Sequence, residues 1–432
     1  MRVTQIFSIE NVEEIKQKLL LWSQQFREVC YFDSHQNQQA TYSKFDVMLG
    51  VDAFTSIQTD SFSAFETLSE YQQTTQDYIL GYLSYDLKNG TENLSSTNFD
   101  GVKFPDIYFF QPKKLFIINE NSITFSYLAF VADEIDYDWT EILETNIYHE
   151  QLPKIGFVAR TTKSEYLNKV NQVLKHIQRG DIYEANFCME FYAQATINPL
   201  QVFWTLNHIS KAPFASFFKL NQLYAISASP ERYVQKTKQT IISQPIKGTA
   251  KRGKNDIEDA LLKNNLEDNL KERTENVMIV DLVRNDLSKT AIAGSVVVPE
   301  LCKVYTFCQV HQMISTIQAE LDTQYNAVDV LKTTFPMGSM TGAPKLSAMQ
   351  ICESLENFKR GLYSGAIGYF TPTGDFDFNV VIRSILYNNQ QQYVSYAVGS
   401  AITAQAIPEQ EYEECLIKAS ALFSIFNSNA VI

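Results

Sequence analysis

Ser243-Gln244-Pro245-Ile246-Lys247-Gly248-Thr249 lies between a strand-like run at 240–243 and a long helical pattern that begins near Asp256. Pro245 has no N–H to donate and so interrupts ladder pairing, while Gly248 permits close backbone approach. Together they predict a turn that carries Lys247. Upstream, a second strand pattern at 224–229 runs into the tight sequence Ser229-Pro230-Glu231-Arg232. Downstream, 378–387 and 392–403 alternate as a hairpin, and helical spacing marks 256–287, 344–358 and 409–426. Strands and helices are intermixed without a regular βαβ repeat. That pattern predicts an α+β fold, with β-sheet core layers flanked by helices.

Residues 1–150 are mixed in the same way. Val12, Ile15, Leu19, Trp22 and Phe26 recur at helical spacing, whereas Ile123, Phe125, Tyr127 and Ala129 alternate as a strand does. This part holds no catalytic constellation. A boundary near 151–156 divides it from a region 155–427 in which the motifs are dense. Just past that boundary, Thr162 and Glu165 form a capping-box pattern, and the helix they open ends at Gly180.

With 432 residues, 45% of them hydrophobic, the chain can bury a large core. No run approaches the roughly 18 apolar residues of a membrane span, and the first 26 residues lack the apolar centre of a signal peptide. Neither a membrane nor a secretory route is expected, and the protein is expected in the cytoplasm. The net charge of -13 argues against nucleic acid as a partner and requires that any anionic substrate meet a locally built positive site. Six scattered cysteines without CxxC pairing and five histidines read as reduced thiols and offer little to zinc.

Glu272 and Glu275 share a helix face, and Glu411, Glu414 and Lys418 share another. Two carboxylate faces from distant segments could grip one hard cation; alternatively they are ordinary solvated faces, with Glu414 and Lys418 a surface pair. A lysine such as Lys247 is usually just solvated, but deprived of its charge by burial or a nearby cation it is a competent amine nucleophile. Gly338-Ser339-Met340-Thr341-Gly342-Ala343-Pro344-Lys345 is a small-residue loop entering a helix, and is not a Walker A loop.

Taken together, these segments resemble the chorismate-utilising family, which includes anthranilate, aminodeoxychorismate, isochorismate and salicylate synthases. The resemblance runs from about 156 to 426. It rests on Gly180-Asp181-Ile182-Tyr183-Glu184-Ala185-Asn186, Ser229-Pro230-Glu231-Arg232, Pro245 to Thr249, and Glu275-Asn276-Val277-Met278-Ile279-Val280-Asp281-Leu282-Val283-Arg284-Asn285-Asp286-Leu287. Phe335 to Lys345, Arg360-Gly361-Leu362-Tyr363-Ser364-Gly365, Arg383 and the 411–418 stretch complete it. It implies an anthranilate-synthase-component-I-like fold. Aminodeoxychorismate synthases carry lysine where Lys247 stands, and anthranilate synthases alanine, so the resemblance is closest to the C4-aminating branch. The water-activating branches carry lysine at the position of Glu184, where glutamine is common in the aminating ones; the role of Glu184 stays open.

The resemblance implies Glu231 as general acid, Lys247 as the nucleophile that attacks C2 of chorismate, and His311 as a further catalytic residue. It implies Thr249, Gly248, Tyr363, Arg383, Gly399 and Lys418 at the substrate. It also implies Mg²⁺ held by Glu275 and Glu414, with Glu272 and Glu411 near. Ammonia would come from a separate glutaminase subunit, because no glutaminase motif is found in the chain. The alternatives are anthranilate synthase component I and a non-catalytic chorismate-binding homologue.

Overall fold

The computed structural model describes residues 1–35, 44–308 and 310–426. Among the described residues, twenty strands form one hydrogen-bonded network to which both parts of the sequence contribute. Glu28–Asp33 pairs with Phe214–Leu220, and Ile79–Leu83 pairs with Ala366–Phe370, so the 1–150 region and the later region share ladders. Period-2 side chains along the shared strands feed two apolar layers. Val29 and Tyr31 enter one layer while Cys30 and Phe32 enter the other; Phe217 and Phe218, and Ile385 and Leu386, divide in the same way. The first layer is closed by helices that include Val12–Trp22, Lys163–Arg179 and Pro408–Ile425. Sheet core layers with helices packed outside are the α+β arrangement expected. No helix among the described residues is long and apolar enough to cross a membrane.

Local chemistry sets the boundaries that matter for the site. Thr162 and Glu165 form the capping box, and Gly180, with φ of 82°, ends that helix. The helical pattern of 256–287 is two helices, Asp256–Glu267 and Leu270–Ser288. The break falls at Asn269, whose side chain accepts a hydrogen bond from the Glu272 N–H at 3.2 Å. Asparagine caps a helix well and propagates one poorly. The second helix therefore opens just before Glu272 and Glu275. The hairpin region is likewise three strands, Phe376–Val380, Ser384–Asn388 and Tyr393–Thr403, because the chain turns at Arg383, where φ is 53°.

Lys247 lies within a strand, Ile246–Lys251, and not at a free turn. Pro245 separates that strand from Thr240–Gln244, and the pairing with Val310–Glu320 shifts register between Ile246 and Thr249. The irregularity holds Lys247 and Gly248, and such bulges re-aim side chains.

One buried charge knot fixes the floor of this region. Arg360 donates to the carbonyls of Met340 at 2.7 Å and Asn186 at 2.8 Å, and to Glu356 Oε1 at 2.6 Å. Glu356 Oε1 also accepts from the Cys188 N–H at 2.9 Å. The knot ties the strand Glu184–Gln194 to the 338–341 loop. Removing either charged partner would strand the other in the core, a loss of about 3–5 kcal/mol.

Candidate active site

Lys247 and Glu184 form the centre. The Lys247 Nζ donates to Glu184 Oε1 at 2.8 Å, and the Glu184 side chain is 1% exposed. Glu184 opens the strand Glu184–Gln194, opposite Thr403 on one side and Ala343 on the other. Its second oxygen, Oε2, is buried without a hydrogen-bond partner. Burial pulls the Lys247 pKa down, but Glu184, Glu275 and Glu231 more than restore it, leaving it above the ordinary lysine value. In this site Lys247 is therefore an ammonium. The neutral amine expected from burial alone is overridden by the carboxylates around it.

Glu231 follows Pro230 in the connection between the strands Leu223–Ser229 and Arg232–Thr237. The next residue, Arg232, is anchored to Asp377 at 3.0 and 3.1 Å and to Gln244 at 2.6 Å, which fixes the connection. Burial pushes the Glu231 carboxyl up to about 7, with Ser339 and Lys247 opposing the rise. Ser339 Oγ is buried without a well-formed hydrogen bond, yet it stands close enough to Glu231 to oppose the rise. An acid that titrates near neutrality beside a lysine suits general acid catalysis.

The four carboxylates expected at a cation site lie on two helices, Leu270–Ser288 and Pro408–Ile425. Burial pushes Glu275 up to about 7 against the pull of Lys247, and also raises Glu272. Glu414 stays below its usual value, because Lys418, at 2.6 Å, outweighs its burial. Lys271, in the first turn of the first helix, lies 3.9 Å from Glu275 on its own helix and 3.7 Å from Glu411 on the other. Glu275 Oε1 is buried without a hydrogen-bond donor. Carboxylate oxygens and one orphaned buried oxygen are the donor set of a hard cation. As placed, no three acidic, histidine or cysteine side chains among the described residues form a ready ligand group.

The other expected residues divide. Gly248, with φ of 94°, lets its strand pass close to the acid-bearing helix: a Cβ there would meet Glu272 Cβ at 3.2 Å. A Cβ on Gly399 would meet Cys188 Sγ at 2.8 Å, and the Gly399 carbonyl accepts from Lys418 Nζ at 2.9 Å. Arg383 is half-buried, and its charge acts on the Tyr396 hydroxyl. Thr249 is exposed. His311 lies apart in its contacts: Nε2 meets Asp259 at 3.0 Å and Nδ1 meets Thr306 at 3.0 Å, so both ring nitrogens are occupied. Tyr363 is buried at 4% exposure, beside Cys188 and Arg360.

Residues 20–424 match the family described as chorismate binding enzyme. The chain belongs to that family. Its members act on chorismate, so this chain is an enzyme of chorismate chemistry. It is 33% identical over 356 residues to a Bacillus subtilis protein named aminodeoxychorismate synthase component 1, covering 79% of this chain and 75% of that one. An Aquifex aeolicus protein named anthranilate synthase component 1 is 32% identical over 363 residues, covering 80% and 73%. The two identities are nearly equal, so overall likeness does not separate the branches. The fold matches the crystal structure of anthranilate synthase component I from Streptococcus pneumoniae at a TM-score of 0.77 and 24% identity, over 87% of this chain and 91% of that one.

Three residues of this candidate site carry no separate signal in the sequence. Ser339 lies within a loop motif, Lys271 stands one place before Glu272, and Arg360 joins nearby Glu356 to the carbonyls of Met340 and Asn186, which are distant in sequence.

The raised Glu231 pKa has a consequence for stability. Native Glu231 keeps its proton up to about pH 7, whereas the unfolded chain releases it near 4.5. The contribution is thus complete below about pH 4.5 and is lost as pH rises through about 7. Glu231→Gln cannot ionise. Urea unfolding should show wild type losing about 2–3 kcal/mol relative to E231Q between about pH 5 and about pH 8.5. A difference independent of pH would mean that Glu231 is not held protonated by burial.

Proposed function

We propose that the chain replaces the C4 hydroxyl of chorismate by ammonia, giving 4-amino-4-deoxychorismate for 4-aminobenzoate and folate biosynthesis. The observation that carries this reading is Lys247, its side chain 11% exposed, beside Glu231 and Glu184 at the position where the aminating branches differ. Glu231 in its protonated form gives its proton to the departing C4 oxygen. Lys247, once deprotonated, attacks C2 as the ring double bond shifts. Ammonia then attacks C4 and the lysine leaves, so that one hard displacement becomes two easier ones. Arg383 takes a substrate carboxylate in a bidentate grip. Glu275 and Glu414, with Glu272 and Glu411 beside them, would hold Mg²⁺. When bound, the ion neutralises carboxylate charge and supplies Lewis-acid polarisation.

The relatives' designation as a component 1 supports a second component, and a separate glutaminase subunit is the ammonia source this reading requires. The cytoplasm is the expected compartment, and the six cysteines, all unpaired, accord with a reducing one.

Lys247→Ala should slow formation of aminodeoxychorismate from chorismate and ammonium salt by at least about a hundredfold. Wild-type C4 amination by this variant would remove the lysine from the chemistry. Glu275→Gln and Glu414→Gln should each weaken Mg²⁺ binding about tenfold or more in calorimetric titration with substrate present. Unchanged affinity in both would remove these acids from the ion.

A further inference from the structure

On the reading just given, Lys247 has to lose a proton before it can attack, yet the site holds it as an ammonium. The groups that face it are Glu184 from the strand Glu184–Gln194, Glu231 from its loop, Glu272 and Glu275 from one helix, and Glu414 from another. Only Glu184 is in hydrogen-bond contact, at 2.8 Å. We infer that Glu184 is the base that takes the proton of Lys247 and so releases its amine for attack on chorismate.

The step balances within the pair. The Nζ–H bond breaks, an O–H bond forms on Glu184 Oε1, and the freed electron pair on Nζ becomes the bond to C2. The C4–O bond breaks as Glu231 delivers its proton, and water leaves. When ammonia attacks C4, the C2–N bond breaks and its electrons return to Nζ. Glu184 returns its proton to the amine, and the new C4 ammonium gives one proton back to Glu231.

Burial favours this route. Transfer inside an ion pair whose side chains are 11% and 1% exposed turns a positive and a negative group into two neutral ones, and the net charge of the pair stays at zero. Release of the same proton to water would leave the Glu184 carboxylate buried without its partner, which costs more. Glu184 Oε2, buried and unpartnered, leaves the carboxyl free to become a neutral acid without breaking another hydrogen bond.

The test compares wild type, Glu184→Gln and Glu184→Asp, measuring aminodeoxychorismate formation from about pH 6 to about pH 9 at constant free ammonia. In wild type the proton only moves between partners, so no acid limb comes from Lys247. E184Q has no proton acceptor, and its lysine must ionise to solvent. Its kcat should therefore fall below wild type by a factor that widens at least about tenfold from pH 9 to pH 6, with KM for chorismate within about twofold. E184D keeps an acceptor and should parallel wild type at a lower rate. A merely structural Glu184 would give a ratio of wild type to E184Q that is constant with pH, or an E184D that also gains the acid limb; either result overturns the inference. Absence of aminodeoxychorismate from wild type itself is a separate outcome, which defeats the functional reading and this inference with it.

Discussion

The site depends on one largely enclosed cation surrounded by too many anions. Lys247 meets Glu184 directly and feels Glu231 and Glu275, and burial makes every unneutralised carboxylate there costly. The excess negative charge is resolved in two ways. Glu231 and Glu275 have pKa values pushed up to about 7, so part of the charge is removed by protonation. The rest calls for a cation, and in this structure Lys271 leans between Glu275 and Glu411. An acid near neutrality and a cluster of carboxylates only partly offset by Lys271 are thus two consequences of one arrangement.

The scaffold exists to hold that arrangement. The strand Glu184–Gln194 delivers Glu184 and is pinned by the Arg360–Glu356 knot through Asn186 and Cys188. The bulged strand Ile246–Lys251 delivers Lys247, and Gly248 lets the acid-bearing helix come close. Strands from the first 150 residues complete the sheets that carry these ladders and in this way support the site.

Much of this was legible in the amino-acid order. The capping box at Thr162, the stop at Gly180, the α+β class and the acidic helix faces all follow from local rules that act within a few residues. The break at Asn269 was also a local signal, obscured by the helical spacing on both sides of it. What could not be read were relations across distance. Nothing near Lys247 in sequence announces Glu184, 63 residues away, as its partner. Likewise nothing near His311 in sequence announces Asp259, 52 residues away, as the partner of its Nε2. Burial, which decides whether Lys247 is an amine or an ammonium, is a property of the packed chain alone.

The central claim is that Lys247 bonds to the substrate ring. The direct measurement is peptide mass spectrometry of the protein incubated with chorismate and Mg²⁺ in the absence of ammonia, then quenched in acid. The account predicts that the peptide containing Lys247 gains the mass of one chorismate less one water. A protein that aminates chorismate when ammonia is added, yet shows no such adduct on Lys247 without it, would contradict the account.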